Sequence, residues 1–570
     1  MRIVWSVVVL ALAFAAGHLV PSQAKACGGF FCNAGAPVSQ AAERILFSKN
    51  ADGTVTAVVQ ILYQGPAEEF AWMLPVPGSP EVRVSSDLAF QRLQMATNPV
   101  YQLQTVVEGE CGVEDDAFGG GAADASVVAD AAAGEQDAGA PPVTIVDQGN
   151  VGPYDYVTVS LDPSLPDPGD VAVEWLQENG YDVDDMGRER LGPYLADGLN
   201  LIAFRLTKDR SSGSIRPVHL TFEDDEPMIP IRPTAVAANQ DMGVLVWVLG
   251  ESRAVPANYL SLELNEALIN WFNPTPTYDA VVTAAANEAG GQGFVTELAG
   301  PTSSLSNVVL PDWDRDAWRS IEEQDWTGRE GELLQETGSR LGSWDGFADV
   351  VRRHVPVPEG ADPGEFYQCP GCYYEEPLGN IEDIDGFEPE AFLDDVRSEV
   401  FEPMDRTQDL LDAHPYVTRL YTTMSPHEMT VDPIFGFNET LGDVSNRHAA
   451  TRVIECTPAV TMGEAPWRVE LESGDVVRGE GSTWPFQAGD GHMPVNRRVL
   501  QLERAGMGSV VTDNTASISA TLGEHNASVP PPPAAHSGSC ALAGGPAESA
   551  PWAPAVFGLA GLWALARRRR

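Results

Sequence analysis

Positive charge is what this sequence has least of. Among 570 residues, 34 lysines and arginines face 82 aspartates and glutamates, a formal net charge of −48. Some of the cations sit at the ends, Arg2 at one and Arg567-Arg568-Arg569-Arg570 at the other, so the stretch between them is more acidic still. Nucleic acid needs a basic footprint and is excluded as a partner. An anionic membrane surface is excluded as the main one. The acidity suits a solvated, self-repelling surface and permits weak cation binding.

Catalytic signatures are missing as well. No Gly-x-Ser-x-Gly elbow occurs, and Gly342-Ser343-Trp344-Asp345-Gly346 has the wrong spacing. His427-Glu428-Met429-Thr430-Val431 begins like a zinc metalloprotease helix, but Val431 stands where the second histidine is needed. A polar turn after Pro426 is the better reading. Gly291-x-Gly293-x-x-Thr296 follows a helix rather than a strand, so it is no dinucleotide loop. The nine histidines are scattered. With no nucleophile–base pair to propose, the leading class is a non-enzymatic envelope protein, structural or binding. The alternative is an extracellular hydrolase, which would place His219, His354 or His448 in a cleft beside a carboxylate and a serine or cysteine.

Long apolar runs are confined to the termini, and both are short. Behind Arg2, Ile3 to Ala16 is apolar, and a polar stretch leads to Ala24-Lys25-Ala26. A positive start, an apolar centre and an A-x-A exit read as a signal peptide over residues 1–26. Cleavage after Ala26 makes Cys27 the first mature residue. Acylation of Cys27 does not suit its flanks, because Lys25 stands where a lipobox takes a small residue. At the other end, Trp552 to Ala566 would span only about 22 Å as a helix, against a bilayer core of about 30 Å. The four terminal arginines are too costly to pull through and stay cytoplasmic.

Cys540, the Pro551-Trp552 apolar run and the arginine cluster, in that order, resemble the myxobacterial C-terminal sorting tail, MYXO-CTERM. The resemblance covers residues 540–570 alone. It implies cleavage near Cys540 by a membrane-embedded sorting protease and delivery to the cell surface. Lipid attachment at Cys540 would be an extension of it. The expected partners are the export machinery, that protease, and the membrane through the tail.

Seven cysteines remain to be placed. Without Cys540 there are six, an even number for an oxidising compartment, where disulfides are the default. Cys27/Cys32 and Cys369/Cys372 are local staples, and Cys111 and Cys456 pair by elimination, tying the two halves together. Cys369-Pro370-Gly371-Cys372 is read as structural rather than redox-active, because Pro-Gly predicts a turn. A zinc site joining it to Cys27 and Cys32 has the right count, but oxidation competes with thiolate ligation.

Elements are legible along the chain. Arg44 to Ser48 and Thr54 to Tyr63 flank Asn50-Ala51-Asp52-Gly53, a hairpin signal. Phe70 to Pro77 is extended, and Val100 to Val107, Tyr154 to Leu161, Asn200 to Thr207, Ile215 to Phe222 and Met242 to Leu249 are strands. Asp167-Pro168 and Thr275-Pro276 open helices that Gly180 and Gly290-Gly291 close. Residues 112–142 are acidic and low in complexity, a disordered insert. Beyond 300, helices are expected at Glu332–Arg340, Gly346–His354, Pro389–Phe401 and Arg406–Ala413, and strands return from Thr451. The fold is therefore α+β, with mixed, mainly antiparallel sheet. A sheet-rich domain occupies 27–300, a mainly helical region 301–440, a β module 441–522, a proline-rich linker 523–539 and the tail 540–570.

Several of these stretches carry a second resemblance. Cys27-Gly28-Gly29-Phe30-Phe31-Cys32, Phe70 to Pro77, Val173 to Tyr181, Gly291 to Glu297 and Val417 to Pro433 resemble an uncharacterised bacterial family, DUF2330. The resemblance spans residues 27–440 and implies no activity.

One metal candidate stands out. Asp312-x-Asp314-x-Asp316 with Glu323 at the twelfth position has calcium-loop spacing, although Ala317 replaces the glycine that loop requires. Acids at a helix N-terminus, with Trp313 and Trp318 as packing anchors, are the competing reading. No other cofactor is expected.

Overall fold

A short strand, β1 (Phe30–Phe31), precedes the hairpin of β2 (Ser39–Lys49) and β3 (Thr54–Gln64). Its turn forms as its residues predict. Gly53 takes φ +91°, and the Asp52 carboxylate accepts from the Thr54 N–H at 3.0 Å. Next come β4 (Ala71–Val76), β5 (Glu81–Val84) and α1 (Asp87–Thr97). Pro99 prevents α1 from continuing, and the chain turns into β6 (Val100–Glu108). A second hairpin joins β7 (Val143–Val151) to β8 (Tyr154–Leu161). Helix α2 (Pro168–Glu178) is capped by the Asp167 carboxylate, which accepts from the Asp170 N–H at 3.2 Å. Helix α3 (Asp185–Ala196), β9 (Asn200–Leu206), β10 (Val218–Glu223), β11 (Ala238–Gly250), β12 (Arg253–Pro256) and β13 (Leu260–Leu264) follow. Then come α4 (Thr275–Glu288) and β14 (Gly293–Pro301).

Helices dominate the next stretch: α5 (Asp312–Glu322), α6 (Glu330–Leu341), α7 (Asp345–His354), α8 (Pro389–Val396) and α9 (Glu402–Ala413). Strands return as β15 (Tyr416–Met424), β16 (Phe435–Asn438), β17 (Arg447–Glu455), β18 (Trp467–Leu471), β19 (Val476–Gly479), β20 (Asn496–Gln501) and β21 (Ser509–Asp513). Helix α10 (Thr515–Ser528) is the last of the described elements.

This computed structural model describes residues 30–31, 39–64, 71–112, 143–181, 185–206, 216–341, 345–358, 360–367 and 386–533. The signal peptide with Ala26, the acidic insert beyond residue 112, Cys27, Cys32, Cys369, Cys372 and the tail with Cys540 lie outside the described residues. Among the described residues no helix is long and apolar enough to cross a membrane.

A ten-stranded sheet in the order β21-β20-β13-β14-β15-β11-β2-β3-β10-β5 is the centre of the fold. Its pairs are antiparallel except β11 with β2 and β13 with β14, so the mainly antiparallel α+β reading holds. The run Val244 to Leu249 in β11 is apolar without alternation because both faces of the sheet are covered. Val244, Val246 and Val248 face a five-stranded sheet, β1-β4-β9-β8-β7, through Phe47, Tyr154 and Phe204. Helices α2 and α3 cover the far side of that second sheet with Trp175, Leu176 and Leu191. On the other face of the central sheet two apolar clusters form side by side. Helix α1 and the helices from α5 to α9 pack on Leu46, Val58 and Trp247. Helix α4 and a four-stranded sheet, β19-β18-β17-β6, pack on Leu262, Val295 and Val499. The seam between these clusters runs over β11 and β15.

The expected partition of the chain does not correspond to separate cores. Strands β15, β20 and β21 complete the same sheet as β2, β3 and β11, and β17 pairs in parallel with β6. Helix α10 also continues past residue 523, where a linker was expected. Its Ile518 and Leu522 are buried, and the Asn526 side chain accepts from the Arg478 N–H at 2.9 Å. Its small and polar residues gave it the look of linker.

Cys111 and Cys456 are disulfide-bonded, as elimination had paired them, with a sequence separation of 345. The bond fastens the ends of β6 and β17, where the Cys456 N–H also donates to the Glu108 carbonyl at 2.7 Å. Gly109 is required at this corner. It takes φ +87°, and a Cβ there would collide with the Cys456 carbonyl.

Candidate functional site

The seam over β11 and β15 opens into a cleft of about 570 Å³. Its depth comes from two small residues, Ala42 and Gly243, which are register partners on β2 and β11. One wall is the end of α1 with Asn98 to Tyr101, and the other is the start of α4 with Pro274, Thr275, Tyr278 and Asp279. Tyr421 of β15 lies on the floor, and its hydroxyl approaches Gly243 where a side chain would crowd it.

A buried ion pair anchors the floor. Arg419 of β15 donates from Nε to Glu297 Oε2 at 2.5 Å, with side chains 4% and 1% exposed. Strand β14 delivers Glu297 through a β-bulge, since the register with β15 shifts between Thr296 and Leu298. The extra residue re-aims the carboxylate toward Arg419, which is what a bulge does beside a site. The guanidinium then donates to Thr97 Oγ1 at 2.8 Å, to the Gln94 carbonyl at 3.2 Å and to Asn98 Oδ1 at 2.9 Å. Thr97 also accepts from Trp247 Nε1 at 3.0 Å, and Tyr278 donates to Glu297 Oε1 at 2.5 Å. The two helix ends that wall the cleft are therefore tied to one ion pair.

Burial shifts the titrating groups around this network. The Tyr278 phenol is pushed up by burial and by the Glu297 charge beside it. Tyr101 and Tyr421 are raised for the same first reason, with Glu266 and Asp279 respectively adding to it. Asp279, on the rim, is raised by desolvation of its carboxyl and opposed by Arg419. Glu43 is pushed up to about 7 by burial, against its hydrogen bond with Gln40. The Arg44 guanidinium is lowered by burial, with Asp87 opposing and Arg419 adding to the shift.

The histidines singled out by sequence are not brought together. His448 Nδ1 lies 2.7 Å from Glu266 Oε1, with its ring stacked 4.6 Å from Tyr101, behind the cleft wall. His354 Nε2 lies 2.7 Å from Asp395 Oδ2, far along the chain from the cleft lining. His219 is buried beside Arg406 and Arg83 and is held down to about 4, mainly by burial. Among the described residues no serine or cysteine hydrogen-bonds to His354 or His448. The Ser48–His414 contact of 3.0 Å is buried, and Ser48 donates to Asn50 Oδ1. His427 and Glu428 lie in a turn, where Glu428 accepts from the Ser425 N–H at 2.7 Å.

The calcium candidates do not converge either. Asp312, Asp314 and Asp316 are wound into the first turns of α5, and Glu323 ends it. A helix turns alternate residues to opposite sides, so a loop-type ligand set cannot close. Asp314 is buried on Arg92 at 2.7 Å, Asp312 meets Arg315 at 3.4 Å, and Asp316 meets Arg319 at 3.0 Å. Among the described residues no group of histidine, cysteine and acidic side chains could hold a metal ion. Trp318 stacks on Phe401 at 4.5 Å as an anchor, but Trp313 is 67% exposed and is not one.

Sequence reasoning did not single out Arg44, Asp279, Glu297 or Arg419. The available signal was a charged residue inside an apolar strand, as in Val417-Thr418-Arg419-Leu420. Glu297 and Arg419 do lie in stretches that carry the second resemblance. The family described as uncharacterised protein conserved in bacteria, DUF2330, matches residues 20–307. The chain belongs to this family. Arg44, Tyr101, Asp279 and Glu297 fall inside the matched DUF2330 segment, whereas Arg419 and Tyr421 are supplied from beyond it. No curated protein and no solved structure matches the chain.

Proposed function

We propose that this DUF2330 protein is exported to the cell envelope and holds a small ligand in the cleft between α1 and α4. The observation that carries binding is the preorganised floor. Arg419, Glu297 and Tyr278 stand on strands and a helix start, locked to one another, so their geometry is set before a ligand arrives. Export is supported by the signal-peptide pattern of residues 1–26 and the net charge of −48. Surface sorting is supported by Cys540, the short apolar run and the terminal arginines. The export machinery and a membrane sorting protease are its processing partners, with the tail in the membrane before cleavage.

Two measurements on protein recovered from the producing cells test this. Intact mass and terminal peptides should give a chain that starts at Cys27 and stops near Cys540. A chain retaining Arg567 to Arg570 would sink the sorting reading. Small molecules released on denaturation should be present with the wild type and lost with Ala42→Leu, which fills the cleft. A wild type that releases nothing would count against binding. The alternative reading, an extracellular hydrolase, has the Glu266–His448 pair behind Tyr101 as the residues to test: under it, His448→Gln would abolish turnover while sparing the released ligand.

A further inference from the structure

We infer that the cleft recognises its ligand through a carboxylate group, docked on Arg44; the inference rests on the cleft being the binding site. Arg44 stands on β2 between Leu245 of β11 and Gln60 of β3, facing the cleft. Its Nη1 donates to Gln60 Oε1 at 3.2 Å. The Gln60 amide is itself fixed, donating to Asp87 Oδ1. Asp87 also acts electrostatically on Arg44, but among the described residues no aspartate or glutamate forms a salt bridge with it.

The chain carries 82 acids, and several half-buried arginines are bridged, Arg92 to Asp314 at 2.7 Å, Arg232 to Asp432 at 2.9 Å and Arg468 to Glu455 at 2.9 Å; Arg44, which lines the cleft, is not. Arg419, the other cleft arginine, has its donors committed to Glu297, Thr97, Gln94 and Asn98. Arg44 is therefore the cleft cation with donors to spare, and burial already disfavours its charge. A guanidinium fork fits a carboxylate bidentately and gains most where water is excluded. A carboxylate monoanion brings the least negative charge that can still engage those spare donors. A phosphate dianion would add a second negative charge beside Glu297 and Asp279. The body of the ligand lies against Tyr101, Tyr278 and Tyr421, whose rings offer contact area at low entropic cost. A sugar acid and a peptide C-terminus share this chemistry.

The test is a thermal-shift and calorimetric panel on the full chain. Short peptides are paired with their C-terminal amides, and sugar acids with their methyl esters. The acid members of one set, peptide or sugar, should bind, which identifies the source. Their neutral partners should bind about 10–100-fold more weakly, the scale of lost charge-assisted hydrogen bonds. Arg44→Gln should lose the same factor, and Arg44→Lys, which keeps the charge without the fork, should recover part of it. Melting temperatures of both variants without ligand show that they fold. Neutral members that bind as well as acids, with affinity lost in Tyr101→Ala, would overturn the carboxylate inference and leave the cleft reading standing. A panel in which nothing binds would overturn both.

Discussion

Arg419 and Glu297 meet at 2.5 Å on neighbouring strands, and neither side chain is more than 4% exposed. Both ions have left water, and the cost of that is offset only by their mutual attraction and the surrounding hydrogen bonds. Such pairs seldom add net stability. Here the pair connects α1 to α4 across the central sheet, so what it secures is the position of the cleft walls.

Removing one partner should therefore cost more than removing both. Glu297→Leu leaves Arg419 charged and unpaired, and should lose about 3–5 kcal/mol in urea unfolding. Adding Arg419→Met should restore most of that loss. A single Glu297→Leu variant that unfolds like the wild type would refute the account.

Two buried groups oppose each other in acid. Burial pushes the Glu43 carboxyl up from its ordinary 4.5 to about 7 in the fold. Its contribution is full below pH 4.5 and is lost as pH rises to 7, on the order of 3 kcal/mol. His219 falls from 6.5 to about 4. Its contribution is present above pH 6.5 and is lost as pH falls toward 4, by about the same amount. The wild type should be nearly flat between them. Glu43→Gln should become more stable as pH rises across that window, and His219→Gln less stable. Denaturant midpoints at half-unit pH steps decide the matter, and identical slopes in both variants would reject it.

Reducing the Cys111–Cys456 bond, or replacing Cys456 with serine, should lower stability by about 2–5 kcal/mol, because it closes a very long loop in the unfolded chain. Hydrogen exchange should quicken first at the paired ends of β6 and β17. Unchanged protection there would show that the β6–β17 ladder holds without the bond.

Calcium should have no effect on melting. The carboxylate of Asp314 is committed to Arg92, and those of Asp312 and Asp316 face arginines one helical turn away. Differential scanning with millimolar calcium and with a chelator should give superimposable traces. A rise on calcium addition would mean that these acids leave their arginines.

Local elements were readable where a turn or cap residue marks them. Gly53 marks the first hairpin, and Asp167-Pro168 and Thr275-Pro276 mark α2 and α4. Helices α1 and α3 carry no such signal: Ser86 makes no side-chain cap bond, and α3 holds Pro193 within it. The site was less readable because it is assembled by pairings far apart in sequence. Arg44 faces Gln60 through a hairpin, but Glu297 reaches Arg419 only through a bulge and a distant strand. Spacing along the chain reports neither.

Strand β15 lies between β14 and β11, yet it is made last of the three. Synthesis from the N-terminus completes β14 at Pro301 long before Tyr416 appears. Until then both neighbours expose open backbone edges, which are templates for pairing with other chains. The emerging chain is therefore vulnerable until the helices from α5 to α9 have followed and β15 is delivered. Long-range pairing of this kind is intrinsically slow. A holding chaperone would act during that interval.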